Sequence, residues 1–391
     1  MDESSKIDLI RAALPAVNKY AYLNTGTYGP APRACYDAIR AWQDEEFNVG
    51  RIAPGRAAKT GAVKNEARAA LARLIGAQPE SIALTRNTTE GMNIAVFGYR
   101  WQPGDEIVTS NIEHGGGLLP IRLAEKRFGV TVRIADLKQA SGDISPRVAP
   151  LLPDRTRLVA LSNVSWSTGA LFDMKPLIAL CHARGIAVAI DGAQSAAAIP
   201  MNVVDLDVDY YAFPGQKWLM GPSGTGGFYA RADRLAELDP PWIGTGAISN
   251  NNDPDNFALW PDGRRFEGAS TSNLAALAGL AASLIWFLDD VGADWALARN
   301  AALADHAIAG LNAVEGVEVV TPSIHAPLVC FRVAGQSPAD VVTSLAKDGV
   351  VTRSVNDTGV VRLSTGFYNT EQEIDRAIEL VRALVRHPVI A

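Results

Sequence analysis

Short apolar runs alternate with longer amphipathic stretches through the first two-thirds of the chain. The apolar runs predict β-strands at 81–86, 106–110, 131–136, 157–164, 187–193, 208–213 and 226–230. Helical patterns such as "TEGMNIAVFGY", "LLPIRLAEKRFG" and "MKPLIALCHARG" lie between them. Because continuous apolar strands that alternate with helices form βαβ units, the pattern predicts an α/β fold with a mostly parallel, doubly covered sheet. Ligands of such sheets bind beyond the carboxyl ends of the strands.

The alternation stops at a polar, Pro/Asn-rich stretch, 239–267. This stretch predicts either a long loop near the ligand-binding edge of the sheet or a flexible surface loop. The apolar run Leu274–Leu288 is too short and alanine-rich for a membrane span, so we expect a buried helix. The C-terminal part alternates again, with strand patterns at 326–333 and 359–365 and helical patterns at 337–349 and 369–387. This part predicts a smaller α+β domain.

Composition narrows the function classes. The chain has 391 residues, of which 48% are hydrophobic and 20% charged, as in ordinary soluble enzymes. A net charge of −6 without any basic cluster disfavours nucleic-acid binding. The N-terminal "MDESSKIDLI" lacks a secretory pattern, and three scattered cysteines form no CxxC pair or metal motif. We therefore expect a cytoplasmic protein with no metal, nucleic-acid or membrane partner.

One lysine has unusual neighbours. The stretch "AFPGQKWLMGPSGTGG" (212–227) places Lys217 between a Pro-Gly turn and a glycine-rich loop, with an apolar run before it and Trp218 and Leu219 after it. A lysine that loses its water has a lowered pKa and becomes a nucleophile toward carbonyl compounds. The ordinary interpretation is a solvated surface lysine.

Two other charged residues lie on predicted strands. Asp191 ends the strand of "VAIDGAQSA", where its carboxylate could pair with a protonated ring nitrogen, or cap the next helix. Arg362 lies inside the apolar strand of "VVRLST". Because its guanidinium stays charged, it needs a carboxylate or phosphate partner, which could be a ligand or an internal Asp or Glu.

Two strand-to-helix turns carry further candidates. In "LTRNTTEGMN", Thr88 and Thr89 offer hydroxyls beside free backbone N–H groups, as an anion site or as a plain helix cap. In "SNIEHGGGLLP", His114 could stack on a flat cofactor or move protons, although a histidine beside a glycine turn is more often structural. A nucleophilic lysine, an aspartate for a ring nitrogen, an anion cradle and an arginine together predict a pyridoxal 5′-phosphate site for an amino acid.

Five motifs extend this prediction to a family. "YLNTGTYGPAP" (22–32), "DGAQS", "GQKWLMGPSGTGG", "RFEGAST" and "VVRLSTGFYNTEQEIDR" (360–376) resemble the class V aminotransferase family of fold-type I pyridoxal-phosphate enzymes. That family includes cysteine desulfurases, isopenicillin N epimerase-like proteins and cysteine/cystine C–S lyases. The resemblance implies a large domain (23–290) with a mostly parallel seven-stranded sheet, a small C-terminal α+β domain (291–391) and an N-terminal segment (1–22) that packs with the small domain. It also implies a homodimer with active sites at the subunit interface.

The resemblance assigns a role to each candidate. Lys217 holds the cofactor aldehyde as a Schiff base, Asp191 pairs with the pyridine nitrogen, and His114 stacks on the ring. The remaining implied contacts are Gln194 with the phenolic oxygen, Thr88 and Thr89 with the phosphate, Gln216 as a substitute phosphate donor, Trp166 beside the cofactor, Arg362 with the substrate carboxylate, Asn24 and Tyr28 in the substrate pocket, and Ser270 or Thr271 with the partner subunit's phosphate.

Departures from the family pattern favour one reaction. Relatives commonly read Ser-x-His-Lys at the lysine, where this chain has Pro214 and Gln216. Trp166 stands where desulfurases carry asparagine, as in C–S lyases. Desulfurases also need a mobile-loop cysteine, but the segment after Arg353 has none, and Cys330 lies in an apolar strand.

We therefore predict β-elimination from cysteine, cystine or a related sulfur amino acid, with Lys217 removing the α-proton. Transamination and epimerisation remain alternatives because they pass through the same early steps. The loop "GPSGTGG" superficially resembles a dinucleotide loop, but it stands far from the first strand and lacks the expected acidic residue, so a nicotinamide-dependent oxidoreductase is less favoured. A non-catalytic sensor domain is less favoured still, because the full set of candidate catalytic residues is present.

Overall fold

A computed structural model describes residues 2–250, 253–268 and 271–386. Its larger sheet has seven strands, in the spatial order β1-β7-β6-β5-β4-β2-β3. In chain order these strands are β1 (Ile82–Thr85), β2 (Glu106–Ser110), β3 (Thr131–Ala135), β4 (Thr156–Ser162), β5 (Ala187–Asp191), β6 (Tyr210–Pro214) and β7 (Gly226–Ala230).

The larger sheet is mostly parallel, as the apolar runs predict. Only β7 runs antiparallel to its neighbours, β1 and β6, while the pairs from β6 to β3 are parallel. The other six strands therefore point the same way, and their carboxyl ends share one edge. The strand predicted at 157–164 ends at Ser162, because Val164 leaves the sheet to form an isolated bridge with Leu171.

Helices cover both faces of this sheet and enclose its apolar residues in two core clusters. The helix α5 (Gly115–Phe128) begins three residues before its apolar pattern, since the three glycines form its first turn. The other helices up to this sheet's last strand are α1 (Glu3–Ala13), α2 (Arg33–Asn48), α3 (Arg56–Leu74), α4 (Thr88–Phe97), α6 (Ser145–Val148), α7 (Lys175–His182) and α8 (Val203–Leu206). Short 3₁₀ helices occupy Pro15–Asn18, Pro79–Ser81, Ala149–Leu151, Ala232–Glu237 and Gly263–Phe266.

The longest apolar run forms a core helix. The helix α9 (Leu274–Ile285) packs against α2 and α3 and continues through a π-helical segment (Trp286–Gly292) into α10 (Ala293–Asn312). This continuous stretch is long and apolar enough to cross a membrane by composition alone, but 61% of its most apolar window is buried in the protein. Its packing therefore favours the predicted buried helix.

A four-stranded antiparallel sheet forms the C-terminal part, in the order β8-β9-β11-β10. Helices α10, α11 and α12 pack on it around a separate apolar cluster. Its elements are β8 (Val317–Val319), β9 (Leu328–Val333), α11 (Pro338–Lys347), β10 (Arg353–Val355), β11 (Val360–Ser364) and α12 (Glu371–Arg386). The α/β fold with a smaller α+β part is thus confirmed, whereas the domain limits at 22/23 and 290/291 stay predictions.

The segment after α1 joins the two sheets. Two-residue strands pair Ala21–Tyr22 with Val350–Val351 in parallel, and Gly142–Asp143 with Phe172–Asp173. An isolated bridge then places Asn24 beside Ser364 at the end of β11. The loop that follows crosses to the larger sheet, where Gly29 N–H donates to the Gln216 carbonyl at 2.8 Å. Residues 24–29 therefore lie between the carboxyl edge of one sheet and the end of the other.

Candidate active site

Lys217 lies just beyond the carboxyl end of β6, where the chain turns into the glycine-rich loop. Its side chain keeps partial exposure, but burial lowers its pKa from the usual 10.5 to about 8. The carboxylate of Asp191 opposes that shift, and the guanidiniums of Arg362 and Arg353 add to it. Lys217 therefore loses its proton far more readily than an ordinary lysine, which favours the neutral amine that a carbonyl nucleophile or proton acceptor requires.

The carboxylate of Asp191 closes the same space from β5. Asp191 is 5% exposed, and burial raises its pKa, although Oδ1 accepts the Ala193 N–H at 2.9 Å. A Cβ on Gly117 would lie only 3.1 Å from Asp191 Oδ2. The hydrogen bond from the Ala193 N–H is local, as the capping interpretation expects. Oδ2, in contrast, faces the cleft and has no described cationic hydrogen-bond partner. It is therefore available to a protonated ring nitrogen.

A second carboxyl group that sequence reasoning missed lies close to Asp191. Glu113 accepts hydrogen bonds from Ser162 N–H at 2.9 Å, from Ser162 Oγ at 2.6 Å and from Ser110 Oγ at 2.5 Å. Burial raises its pKa to about 7, with the Asp191 charge contributing. Glu113 thus ties the ends of β2 and β4 together beside His114. The sequence signal was only an acidic residue between a strand and a glycine turn.

The start of α4 forms an anion cradle at the end of β1. The cap is Asn87, whose Oδ1 accepts the Glu90 N–H at 2.9 Å, so Thr88 and Thr89 are free from capping. Thr88 Oγ1 is buried without a hydrogen-bond partner in the described structure, as is Gln216 Oε1. A helix N-terminus that presents orphan hydroxyls and N–H groups fits a phosphate.

His114 caps α5 and keeps its ring on the surface of the cleft. Its Nδ1 accepts the Gly116 N–H at 3.0 Å, and its ring meets the Trp166 ring edge-on, with centroids 5.1 Å apart. Burial lowers the pKa of His114, and the charge of Lys217 lowers it further. His114 therefore acts as the cap of α5, as the structural interpretation expects, and stacking on a cofactor stays a prediction.

Arg362 is a buried guanidinium that has no acidic partner among the residues that the structure describes. It is fully buried in β11, and none of the ion pairs in the described ranges includes it. Nη1 donates to the Trp166 carbonyl at 2.9 Å, Nη2 donates to Thr27 Oγ1 at 3.0 Å, and Nε has no partner. Burial lowers its pKa to about 10, so it remains a cation at neutral pH. This geometry removes the internal ion pair as an explanation and leaves the cation for an anionic ligand.

A second arginine that sequence reasoning missed lies directly beside it. Arg353 on β10 is the cross-strand neighbour of Arg362, and its Nη1 donates to the same Thr27 Oγ1 at 3.2 Å. It also lies 5.5 Å from the centroid of the Trp166 ring. Like charges that face each other across two strands destabilise a sheet unless an anion lies between them. Asn24 supports the pair, since its Oδ1 accepts the Thr27 hydroxyl at 2.7 Å.

Gln194 connects the two halves of the site. Its Nε2 donates to the Gly26 carbonyl at 2.9 Å, and its Oε1 accepts the indole N–H of Trp218 at 2.9 Å. Both side chains are buried, with exposures of 4% and 1%. From the sequence, Trp218 indicates only apolar surroundings for Lys217, so its hydrogen bond is a feature that the tertiary structure adds.

A comparison with known protein families identifies the family of this chain. The family model described as "Aminotransferase class-V" matches residues 22–377. The chain belongs to the class V aminotransferase family. That match spans all the elements that carry the residues described above, from the Asn24 loop to β11 and the start of α12.

Individual relatives of this family are similar over most of this chain. "Probable cysteine desulfurase 1" of Mycobacterium leprae is 33% identical over 356 residues, which are 87% of this chain and 58% of that protein. "Cysteine desulfurase CsdA" of Escherichia coli is 32% identical over 395 residues, 96% of each chain. This chain thus spans 58% of the Mycobacterium leprae protein. It spans 51% of "Probable cysteine desulfurase" of Mycolicibacterium paratuberculosis, but nearly all of CsdA.

A solved structure of C-DES extends the comparison. C-DES is described as a cystine C–S lyase in complex with its reaction product, cysteine persulfide. It superposes with a TM-score of 0.90 at 29% sequence identity, and the match covers 94% of this chain and 99% of C-DES. The fold of this class V family member is therefore that of C-DES over essentially its whole length.

Three of the site candidates lie apart from this cluster or outside the described ranges. The Tyr28 side chain is 53% exposed, and no described hydrogen bond or ring contact joins it to Lys217. Thr271 is exposed and lines a separate cavity of about 350 Å³ with Thr85 and Gly224, so it does not contact Lys217. Ser270 lies outside the described residues. The contact of Thr271 with a partner subunit's phosphate, which the family resemblance implies, stays a prediction.

All three cysteines of this family member are buried. Burial raises the thiol pKa of Cys35 to about 11 and those of Cys181 and Cys330 to about 12. Cys330 is the sheet neighbour of Arg362, and its backbone N–H donates to Thr321 Oγ1 at 2.7 Å. Because sulfur transfer needs an accessible thiolate, none of these side chains is placed to accept sulfur.

Proposed function

We propose that this protein is a pyridoxal-phosphate-dependent C–S lyase that eliminates the β-substituent of cystine, cysteine or a related sulfur amino acid. The observation that carries the proposal is the placement of unpaired Arg362 within the electrostatic reach of Lys217, whose pKa is lowered to about 8. An anion-binding cation beside an amine that deprotonates readily suits the carboxylate and α-proton of an amino acid.

Buried groups without partners support the cofactor. A phosphate at the N-terminus of α4 would satisfy the orphan Thr88 hydroxyl, and the Gln216 amide, with its unpaired oxygen, would turn its N–H₂ toward the same anion. Glycines keep the cradle open, since a Cβ on Gly116 would lie 2.6 Å from Thr89 Oγ1. These residues fit pyridoxal 5′-phosphate, with Asp191 and His114 at its ring.

The residues then divide the chemistry among themselves. When bound, the cofactor supplies an aldehyde for the substrate amine and a cationic ring that accepts electrons from Cα. Arg362 binds the substrate carboxylate and thereby fixes the orientation of the α-proton. Lys217, whose lowered pKa eases loss of its own proton, removes the α-proton, and Asp191 keeps the ring nitrogen cationic. Trp166 lies between these groups, with its ring edge-on to His114 and 5.5 Å from the Arg353 guanidinium.

The buried cysteines favour a lyase over a persulfide-forming desulfurase. Among the relatives, CsdA is named a cysteine desulfurase, whereas C-DES is named a cystine C–S lyase. Because each thiol of this chain is buried with a pKa of about 11 or 12, the sulfur leaves with the substrate fragment. With cystine and water, the balanced products are cysteine persulfide, pyruvate and ammonia.

The decisive experiment incubates the purified protein with pyridoxal phosphate and then with cystine or cysteine. We expect a visible cofactor band that persists through turnover while pyruvate, ammonia and sulfane sulfur accumulate from cystine. Conversion of the band to the pyridoxamine form, with a keto acid that retains sulfur, would establish transamination instead. Failure of the cofactor to give any visible band would overturn the proposal as a whole.

Arg353 favours cystine over cysteine, because a second unpaired cation suits a substrate with a second carboxylate. In Arg353→Met, we expect KM for cystine to rise roughly tenfold, the effect of one lost charge-assisted hydrogen bond, while KM for cysteine changes less than about threefold. Steady-state pyruvate formation from both substrates measures this split. An equal rise for both substrates would show that Arg353 serves the first carboxylate or the fold.

We also propose a cytoplasmic homodimer. Phe47 and Ile52, at the end of α2 and in the loop after it, are 89% and 97% exposed, an unfavourable arrangement for apolar side chains unless another surface covers them. The separation of Thr271 from Lys217 supports a role in a neighbouring subunit. Sedimentation of the holoenzyme tests the oligomeric state.

A further inference from the structure

Trp218 makes one directional contact from inside the core. The side chain directly follows Lys217 in the sequence, is 1% exposed, and donates its indole N–H to Gln194 Oε1 at 2.9 Å. The indole group is a donor only and has no acceptor site to offer. The atom of Gln194 that faces Trp218 must therefore be the oxygen.

The remaining contact of Gln194 follows from this constraint. With its oxygen turned toward Trp218, the Gln194 amide nitrogen faces the Gly26 carbonyl and donates to it at 2.9 Å. An amide nitrogen carries two hydrogens, so one N–H is left for a ligand. Without the indole, only the Gly26 carbonyl, which accepts and cannot donate, would select this orientation, so one hydrogen bond in place of two would hold the amide.

Gly26 also lies close to Arg362. A Cβ on Gly26 would lie 2.8 Å from Ser364 Oγ, 2.9 Å from Gln194 Oε1 and 3.3 Å from Arg362 Nη2. The next residue, Thr27, accepts the hydrogen bond from Arg362. The amide of Gln194 and the guanidinium of Arg362 therefore lie close together, on the side of Gly26 where a Cβ would stand.

We propose that Trp218 is a positioning residue that locks Gln194 as a hydrogen-bond donor toward the phenolic oxygen of the cofactor. This inference rests on the proposed pyridoxal-phosphate function. A donor to that oxygen stabilises the form in which the oxygen carries full negative charge, so it lowers the pH midpoint at which the visible cofactor band titrates. Loss of the indole N–H leaves the Gly26 carbonyl alone to hold the amide, so the amide is positioned less firmly and donates less often to the phenolic oxygen, which raises that midpoint.

The test is a pH titration of the absorbance of the holoenzyme. Trp218→Phe keeps an aromatic ring and removes the donor, and we expect the midpoint to rise by about one pH unit, the scale of one charge-assisted hydrogen bond. The matched control is Trp101→Phe, which removes a buried indole hydrogen bond of 2.7 Å to the Val96 carbonyl in another core cluster. A Trp218→Phe titration identical to that of Trp101→Phe would overturn the inference.

A double substitution shows whether Trp218 acts through Gln194. Gln194→Ala alone raises the midpoint, and Trp218→Phe in that background adds no further shift if the indole works only through the amide. An additive shift overturns the positioning role. A wild-type protein without any visible band after incubation with pyridoxal phosphate would instead overturn the proposed function, so the two failures are distinguishable.

Discussion

Replacing Lys217 by alanine is expected to lower kcat for pyruvate formation from cystine by about 10³-fold or more. The reason is that one side chain supplies both the amine that bonds the cofactor and the base that removes the α-proton, and a positioned base alone contributes 10²- to 10⁴-fold. Steady-state assays of the reconstituted variant, with cofactor absorbance recorded alongside, measure the loss and show whether cofactor is still bound.

The matched control is Lys126→Ala, an exposed lysine in the last turn of α5. Its kcat should stay within about twofold of wild type, the normal range for surface substitutions. Added methylamine should restore part of the activity of Lys217→Ala, because a small amine can occupy the vacated space and accept the proton. Activity of Lys217→Ala within tenfold of wild type would contradict the assigned role.

Replacing Arg362 by methionine is expected to lower kcat/KM for cystine and cysteine alike, by roughly 10²- to 10³-fold, the cost of removing one partner of a buried charge pair. Most of the loss should appear in KM, since the carboxylate is bound equally in the ground state and in the transition state. Steady-state kinetics with both substrates measure it, and Arg362→Lys should recover only part, because an ammonium lacks the planar fork.

Arg332→Met is the control for the small sheet. Arg332 lies on neighbouring β9, where it is 41% exposed and pairs with Glu318 at 3.0 Å. Its loss should change kcat/KM less than threefold, because exposed ion pairs contribute little. If Arg362→Met and Arg332→Met had the same kinetics, the substrate carboxylate would have to bind elsewhere. Thermal unfolding of both variants separates a folding defect from lost binding.

Sequence patterns predicted most of the architecture. Alternating apolar runs gave seven strands whose ends differ from the observed ones by at most two residues, since buried strands need continuous apolar residues whatever their neighbours. Each strand-end candidate, Thr88, His114, Trp166, Asp191 and Lys217, follows a strand of the same direction, so the parallel sheet alone places them at one edge.

The pairings across distant segments could not be predicted in this way. The sequence patterns assign no role to Arg353, and only the register of β10 with β11 sets it beside Arg362. Glu113 carried no periodic signal, and its pKa of about 7 depends on burial between two strand ends. Sequence spacing does not encode such contacts, because the distance in the chain is unrelated to the distance in the fold.

The sequence by itself determined the strand and helix pattern, the family motifs, and the residue types needed for a lysine-centred cofactor site. Only the tertiary structure decided the state of those residues: the desolvation that lowers the pKa of Lys217, the lack of an acidic partner for Arg362, and the indole contact that orients Gln194. The physical reason is that composition fixes which groups are present, whereas burial and hydrogen-bond geometry, which set their energies, arise from chain segments brought together by folding.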